Sequence, residues 1–133
     1  MAALATWQPV VRSLLRIVAA FLFSLHGMQK LFGFFGGMGG KGAVAAFPSM
    51  PWFAAVLEVG GGMLLLLGLF SRPVAFILSG EMAVAYFKFH FPRGFLPISN
   101  GGELAALYCF ILFYLCFAGP GPLSLDGLIR KKS

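Results

Sequence analysis

Trp52-Phe53-Ala54-Ala55-Val56-Leu57-Glu58-Val59-Gly60-Gly61-Gly62-Met63-Leu64-Leu65-Leu66-Leu67-Gly68-Leu69-Phe70 is a run of 19 residues with a single ionisable side chain, Glu58. The hydrocarbon core of a bilayer takes about 20 helical residues, within a range of 17–25. The run therefore reads as a membrane span. Its one carboxylate lies inside the run, in the outer half of the membrane; a charge costs at least roughly 2.5–3.5 kcal/mol at a span's centre, and within a span it usually has a partner or a task.

Three further runs have the same character, near Leu14–Phe35, Pro73–Phe91 and Gly102–Ala118. The breaks between them have local causes. Gly36–Pro51 is rich in Gly, Pro and Ser, which interrupt helices. Phe70-Ser71-Arg72-Pro73 is a tight turn with proline opening the next helix, where its missing N–H does no harm. Phe91-Pro92-Arg93-Gly94 closes the third run and Gly119-Pro120-Gly121-Pro122 the fourth. The expected fold is all-α, a single integral membrane domain over residues 1–133 built as a left-handed four-helix bundle.

The composition agrees. The chain has 133 residues, 59% hydrophobic and 11% charged, with mean hydropathy +0.90. One small aqueous core could not bury so much apolar surface. A formal charge of +6 would suggest nucleic acid in a water-soluble chain. Here the Lys and Arg residues flank apolar runs, which makes them topology determinants and headgroup contacts, with membrane lipids and no nucleic acid as partners. Arg12, Arg16, Arg72, Arg130, Lys131 and Lys132 fall on the side of the termini, against Lys30, Lys41, Lys88 and Arg93 on the other. That bias of six to four places both termini in the cytoplasm. The apolar stretch after Arg12 and Arg16 continues through His26 and Lys30 without a small-residue cleavage site, so it does not read as a cleaved signal peptide.

Of the four carboxylates, Glu58, Glu81 and Glu103 lie within or at the rim of apolar runs. Ala54, Glu58, Gly61, Leu65 and Gly68 follow helical spacings that predict a packing seam, with Glu58 turned to a neighbouring helix. Ile77, Glu81, Val84 and Lys88 form one stripe on the third span, and Glu103, Ala106, Phe110, Phe113 and Phe117 one face of the fourth. His26 and Lys30 are neighbours one turn apart. Four helices are thus expected to bring complementary charges to one depth, with the individual pairings open. The bland alternative is that interhelical pairs serve as membrane glue, worth about 0.6 kcal/mol each, and that Glu103 merely favours a helix N-terminus.

Several other signals carry no chemistry. Phe35-Gly36-Gly37-Met38-Gly39-Gly40-Lys41-Gly42 lacks the Ser or Thr that a phosphate-binding loop requires after its Lys. Cys109 and Cys116 lie about 10 Å apart along one helix, beyond disulfide reach, and read as inert thiols whose shared face leaves a homo-oligomer contact open. His26 and His90 differ in depth, which argues against paired haem ligands. His90 is expected at the interface among Tyr86, Phe91 and Arg93, and no metal site is expected.

Four stretches taken together resemble the DoxX family of small four-helix bacterial membrane proteins. They are His26-Gly27-Met28-Gln29-Lys30-Leu31-Phe32-Gly33, Glu58-Val59-Gly60-Gly61-Gly62 through Gly68-Leu69-Phe70-Ser71-Arg72-Pro73, Gly80-Glu81-Met82-Ala83 through His90-Phe91-Pro92-Arg93-Gly94 to Asn100-Gly101-Gly102-Glu103, and Gly119-Pro120-Gly121-Pro122-Leu123-Ser124-Leu125-Asp126. The resemblance spans nearly the whole chain. It implies a multipass protein of the cytoplasmic (inner) membrane, described in the family as an oxidoreductase component. Related DoxD-type proteins are associated with thiosulfate oxidation coupled to quinone, and some DoxX proteins with complexes of soluble thiol and superoxide-handling enzymes. No defined catalytic residues come with the resemblance, so site expectations rest on the buried charges.

The leading expectation is a quinone-linked redox subunit. Glu81, Glu58 and His26 would be proton carriers, and Lys30, Tyr86, Lys88 and Glu103 would face the substrate. Electrons would come from a soluble or membrane redox partner, or from substrate. Two alternatives stay open: a small-solute or proton transporter with the same charges lining a wet cavity, and a noncatalytic anchor whose Arg130-Lys131-Lys132 tail and loops recruit soluble enzymes.

Overall fold

The structure is a computed structural model and describes residues 2–38 and 42–132. Gly39, Gly40 and Lys41 of the glycine-rich stretch lie outside the described residues, as do the side chains of Lys131 and Lys132 in the basic tail. The described chain is helical, with one isolated antiparallel bridge between Met38 and Ala43. A short α1 (Ala2–Thr6) precedes α2 (Gln8–Phe32), followed by α3 (Met50–Leu67), α4 (Ser71–Ala85), α5 (Pro97–Asn100), α6 (Glu103–Ala118) and α7 (Leu125–Lys132). The end of α4 widens into a π-turn over Tyr86–His90 and tightens to a 3-10 turn over Phe91–Arg93. The helical path therefore runs unbroken from Ser71 to Arg93.

Three of these helical stretches, Gln8–Phe32, Met50–Leu67 and Ser71–Arg93, are long and apolar enough to cross a bilayer. The expected fourth span is shorter. At 16 residues, α6 rises only about 24 Å, less than a hydrocarbon core of about 30 Å. Gly102 before it and Gly119-Pro120 after it stop the helix. Local bilayer thinning can accommodate such a helix at modest cost. The outer surface supports a lipid solvent: Phe76, Ile98, Phe110 and Phe117 are each more than half exposed, Phe110 at 71%. In water such density of bare aromatic and aliphatic surface would drive association.

The chain divides into two compact units. The first joins Met1–Phe70 with Pro120–Ser133 and is organised by α2 packed on α3. Small residues let the two backbones approach. A Cβ added to Gly27 would lie 2.8 Å from Glu58 Cβ and 2.9 Å from the Val59 amide nitrogen. A Cβ on Gly62 would strike the Ser24 hydroxyl. The buried seam of α3 is Ala55, Glu58, Gly62 and Leu65. This corrects the expected seam by one position: Ala54 and Gly61 are only half-buried, and buried Gly68 ends the helix in a left-handed conformation (φ 74°).

The second unit, Ser71–Gly119, pairs α4 with α6. Its core comes from Ala75, Leu78, Ser79 and Met82 on α4 and from Tyr108, Leu112 and Leu115 on α6. Most members of both expected stripes face outward, with Glu81 and Ala106 half-buried. Ile77, Val84 and Lys88 are exposed, and so are Glu103, Phe110, Phe113 and Phe117. Lipid tails are as apolar as a helix interface, so these helices show no polar face from which to tell inside from outside.

Candidate functional site

In the first unit, α3 places Glu58 against Gly27 of α2, where only 2% of its side chain is exposed. Lys30, one helical turn further along α2, reaches back to it. Lys30 Nζ donates to Glu58 Oε1 at 2.9 Å and to Oε2 at 3.0 Å. One ammonium thus bridges both carboxylate oxygens and neutralises a charge that lipid could not hold. Glu58 lies about 12 Å below the start of α3, so the pair is deep in the span. Lys30 itself remains 31% exposed. The pair is therefore closed around the carboxylate and open toward the ammonium. His26, one turn before Lys30 on α2, is half-buried on the same helix.

The surrounding chain fixes this end of α2. Gly33 ends the helix at φ 75°, and the returning loop bonds back through the Ala45 amide to the Lys30 carbonyl at 2.7 Å. Ser49 then caps α3 by accepting from the Trp52 amide at 3.3 Å, with Pro51 in the first turn. The ends of both helices are held, so the Lys30–Glu58 register is set by the backbone as well as by charge.

The remaining expected site residues fall in the second unit. Glu81 is half-buried on α4 with both carboxylate oxygens enclosed. Tyr86 lies in the π-turn, where His90 follows it, with ring centroids 6.4 Å apart and Phe91 6.4 Å from the same tyrosine ring. The Asn100 carbonyl accepts from His90 Nδ1 at 3.2 Å, which directs the imidazole to a backbone partner. Lys88 is exposed in the same turn. Glu103 lines a shallow depression of about 360 Å³ together with Pro97, Ile98, Gly101, Leu104 and Leu107. Of the expected charges, Lys30 and Glu58 are brought into direct contact.

The roles of four polar residues escaped sequence reasoning. Arg16 is a correction, because it is not a headgroup contact: only 1% of it is exposed. Its Nη1 donates to the Pro120 carbonyl and its Nη2 to the Leu123 carbonyl at 2.7 Å and the Leu66 carbonyl at 3.5 Å. Ser13 completes this latch, accepting from the Leu123 amide at 3.1 Å. Arg72 caps the C-terminus of α6 by donating to the Phe117 carbonyl at 2.6 Å. Asn100, 1% exposed, donates from Nδ2 to Gly94 O at 2.9 Å and to Tyr86 Oη at 3.3 Å, and accepts from the Gly102 amide at 2.8 Å. A signal existed for two of them: Arg16 stands inside an apolar run, and Asn100-Gly101-Gly102 is a turn sequence. The thiols of Cys109 and Cys116 are free and half-buried, and the Cys109 carbonyl accepts from Ser79 Oγ at 2.8 Å.

Comparison with known proteins gives a consistent picture. A family model described as DoxX matches residues 11–91. An uncharacterized protein of Haemophilus influenzae is 47% identical over 95% of this chain and 96% of its own length. Inner membrane protein YqjF of Escherichia coli is 31% identical over 88% of this chain and 90% of its own. Inner membrane protein YphA of Escherichia coli is 29% identical over 90% of each. No solved structure matches the chain.

Proposed function

The chain belongs to the DoxX family, and from that premise we propose that it is a quinone-linked redox component whose proton-handling group is the Lys30–Glu58 pair with His26 beside it. It is a multi-pass protein of the inner membrane, like the relatives named for that location. In the proposed arrangement α2, α3, the Ser71–Arg93 stretch and the short α6 form a four-helix bundle with both termini in the cytoplasm.

The observation that carries the reading is the bridged carboxylate of Glu58, buried in the span and neutralised by an ammonium that is itself partly open. Reduction of a quinone to its quinol consumes two electrons and two protons. The electrons come from a redox partner or reduced substrate, and the protons must be delivered inside the apolar layer. The Lys30–Glu58 pair holds one proton that can pass to a quinone oxygen and be replaced from water past the partly exposed ammonium, and His26, one turn away on the same helix, can carry the second. Glu81 takes the same role within its own unit, with Tyr86, Lys88 and Glu103 as its substrate-side groups.

The experiment is turnover of a short-chain quinone by membranes containing the full-length protein and its electron donor. Glu58→Gln keeps the shape of the side chain and removes its proton exchange. A fall of about a hundredfold, with the protein still folded, is the expected result. Turnover unchanged by Glu58→Gln would rule that role out for the Lys30–Glu58 pair.

A further inference from the structure

The last helix of the chain is exposed, short and two-faced. Leu125, Leu128 and Ile129 of α7 follow the i, i+3, i+4 spacing of one helical face, and all three are exposed. The final turn reads Arg130-Lys131-Lys132. An eight-residue helix does not hold its shape in water unaided, since isolated helices below about 12–15 residues are marginal. Its apolar face therefore needs a cover.

The start of α7 is fixed with unusual care. Ser124 caps it, accepting from the Gly127 amide at 3.1 Å and donating to the Gly121 carbonyl at 2.8 Å. The Asp126 amide donates to the Gly68 carbonyl at 2.9 Å, and its carboxylate accepts from the Phe70 amide at 2.9 Å. Arg16 and Ser13 hold Pro120 and Leu123 from the α2 side. The helix thus begins where α3 ends, tied to the Gly68 carbonyl and the Phe70 amide; the side chains of Leu67 and Phe70 are both at least half exposed. The end of a membrane-spanning helix comes near the headgroups, so a helix bonded to the end of α3 starts there.

We propose that α7 is an interfacial foot lying in the headgroup layer of an anionic leaflet. Leu125, Leu128 and Ile129 would enter the acyl boundary, and the sequence Arg130-Lys131-Lys132 supplies the positive charge that favours an anionic leaflet. The Arg16 latch makes this foot a rigid extension of α2 and α3. The proposal is independent of the quinone reading, because it uses none of the groups assigned to proton transfer.

The test is amide hydrogen exchange of the whole protein in nanodiscs of phosphatidylcholine alone and of phosphatidylcholine with about 30% phosphatidylglycerol. Each Lys or Arg near an anionic surface contributes about fivefold, so three give up to roughly a hundredfold. Exchange over residues 125–132 is expected to slow by at least about tenfold in the anionic discs. The triple variant Arg130→Gln, Lys131→Gln, Lys132→Gln should abolish that difference. Leu128→Ser with Ile129→Ser should lose protection in both compositions while α2 and α3 exchange as before. Equal exchange in the two compositions overturns the proposal. So does protection found only in discs that hold two copies, which would give the face to a second molecule.

Discussion

Arg16 and Lys30 stand on the same helix, about four turns apart, and both carry a positive charge within an apolar span. Their partners differ in kind. Arg16 donates to backbone carbonyls of Leu66, Pro120 and Leu123, and its guanidinium does not release a proton in proteins. Lys30 meets a side-chain carboxylate, and both members of that pair can change protonation state. The first arrangement can only hold the chain together. The second holds two helices together and is the pair to which proton transfer is proposed. A buried charge is therefore informative through the titratability of its partner, more than through its depth.

The largest effect should follow from removing the latch. Arg16→Leu leaves buried carbonyls without donors and frees the segment Pro120–Asp126, at a cost of about 3–5 kcal/mol in detergent unfolding measurements. Turnover per folded molecule should not change. A loss of turnover without a loss of stability would erase the distinction between the two cations. Lys30→Met comes next, at about 2–3 kcal/mol, reduced because Lys30 is partly exposed. Adding Glu58→Gln to Lys30→Met should bring stability back to within about 1 kcal/mol of the native protein, since no buried charge remains uncompensated. Failure of that recovery would mean the pair contributes more than charge balance. Gly27→Ala is the finest probe: its Cβ would lie 2.8 Å from Glu58 Cβ and 2.9 Å from the Val59 amide nitrogen, so the helices must part there, at a cost of about 1–3 kcal/mol. It should lengthen the Lys30–Glu58 contact while leaving the Arg16 latch untouched.

Much of the fold was legible because its breaks are chemical. The Gly36–Pro51 loop, the Ser71-Arg72-Pro73 start of α4 and the Gly119-Pro120 stop of α6 have reasons visible in the residues themselves, whereas α2 and α3 end earlier than expected, at Gly33 and Gly68. Glu58 was correctly placed on a packing seam, yet the seam slipped from Ala54 and Gly61 to Ala55 and Gly62. Spacings of three and four are both helical, and a run of small apolar residues satisfies either choice. On α4 and α6 the inward faces were misread, since Ile77 and Phe110 are no less apolar than Leu78 and Leu112. Lys30 and Glu58 could be recognised as complementary charges, but their contact depends on how close Gly27 lets the backbones come. The role of Arg16 was hidden for a different reason. Its acceptors are backbone carbonyls on segments about 50 and 100 positions away in sequence, which no side-chain pattern reveals.

The most direct measurement is quinone turnover by membranes containing the Lys30→Met, Glu58→Gln double variant, compared with the Arg16→Leu variant per folded molecule. Greasy helices joined by a neutral pair should then fold normally and turn over at least about a hundredfold more slowly, while Arg16→Leu stays active. Native turnover from the double variant would show that Lys30 and Glu58 are glue and that the proton path lies elsewhere.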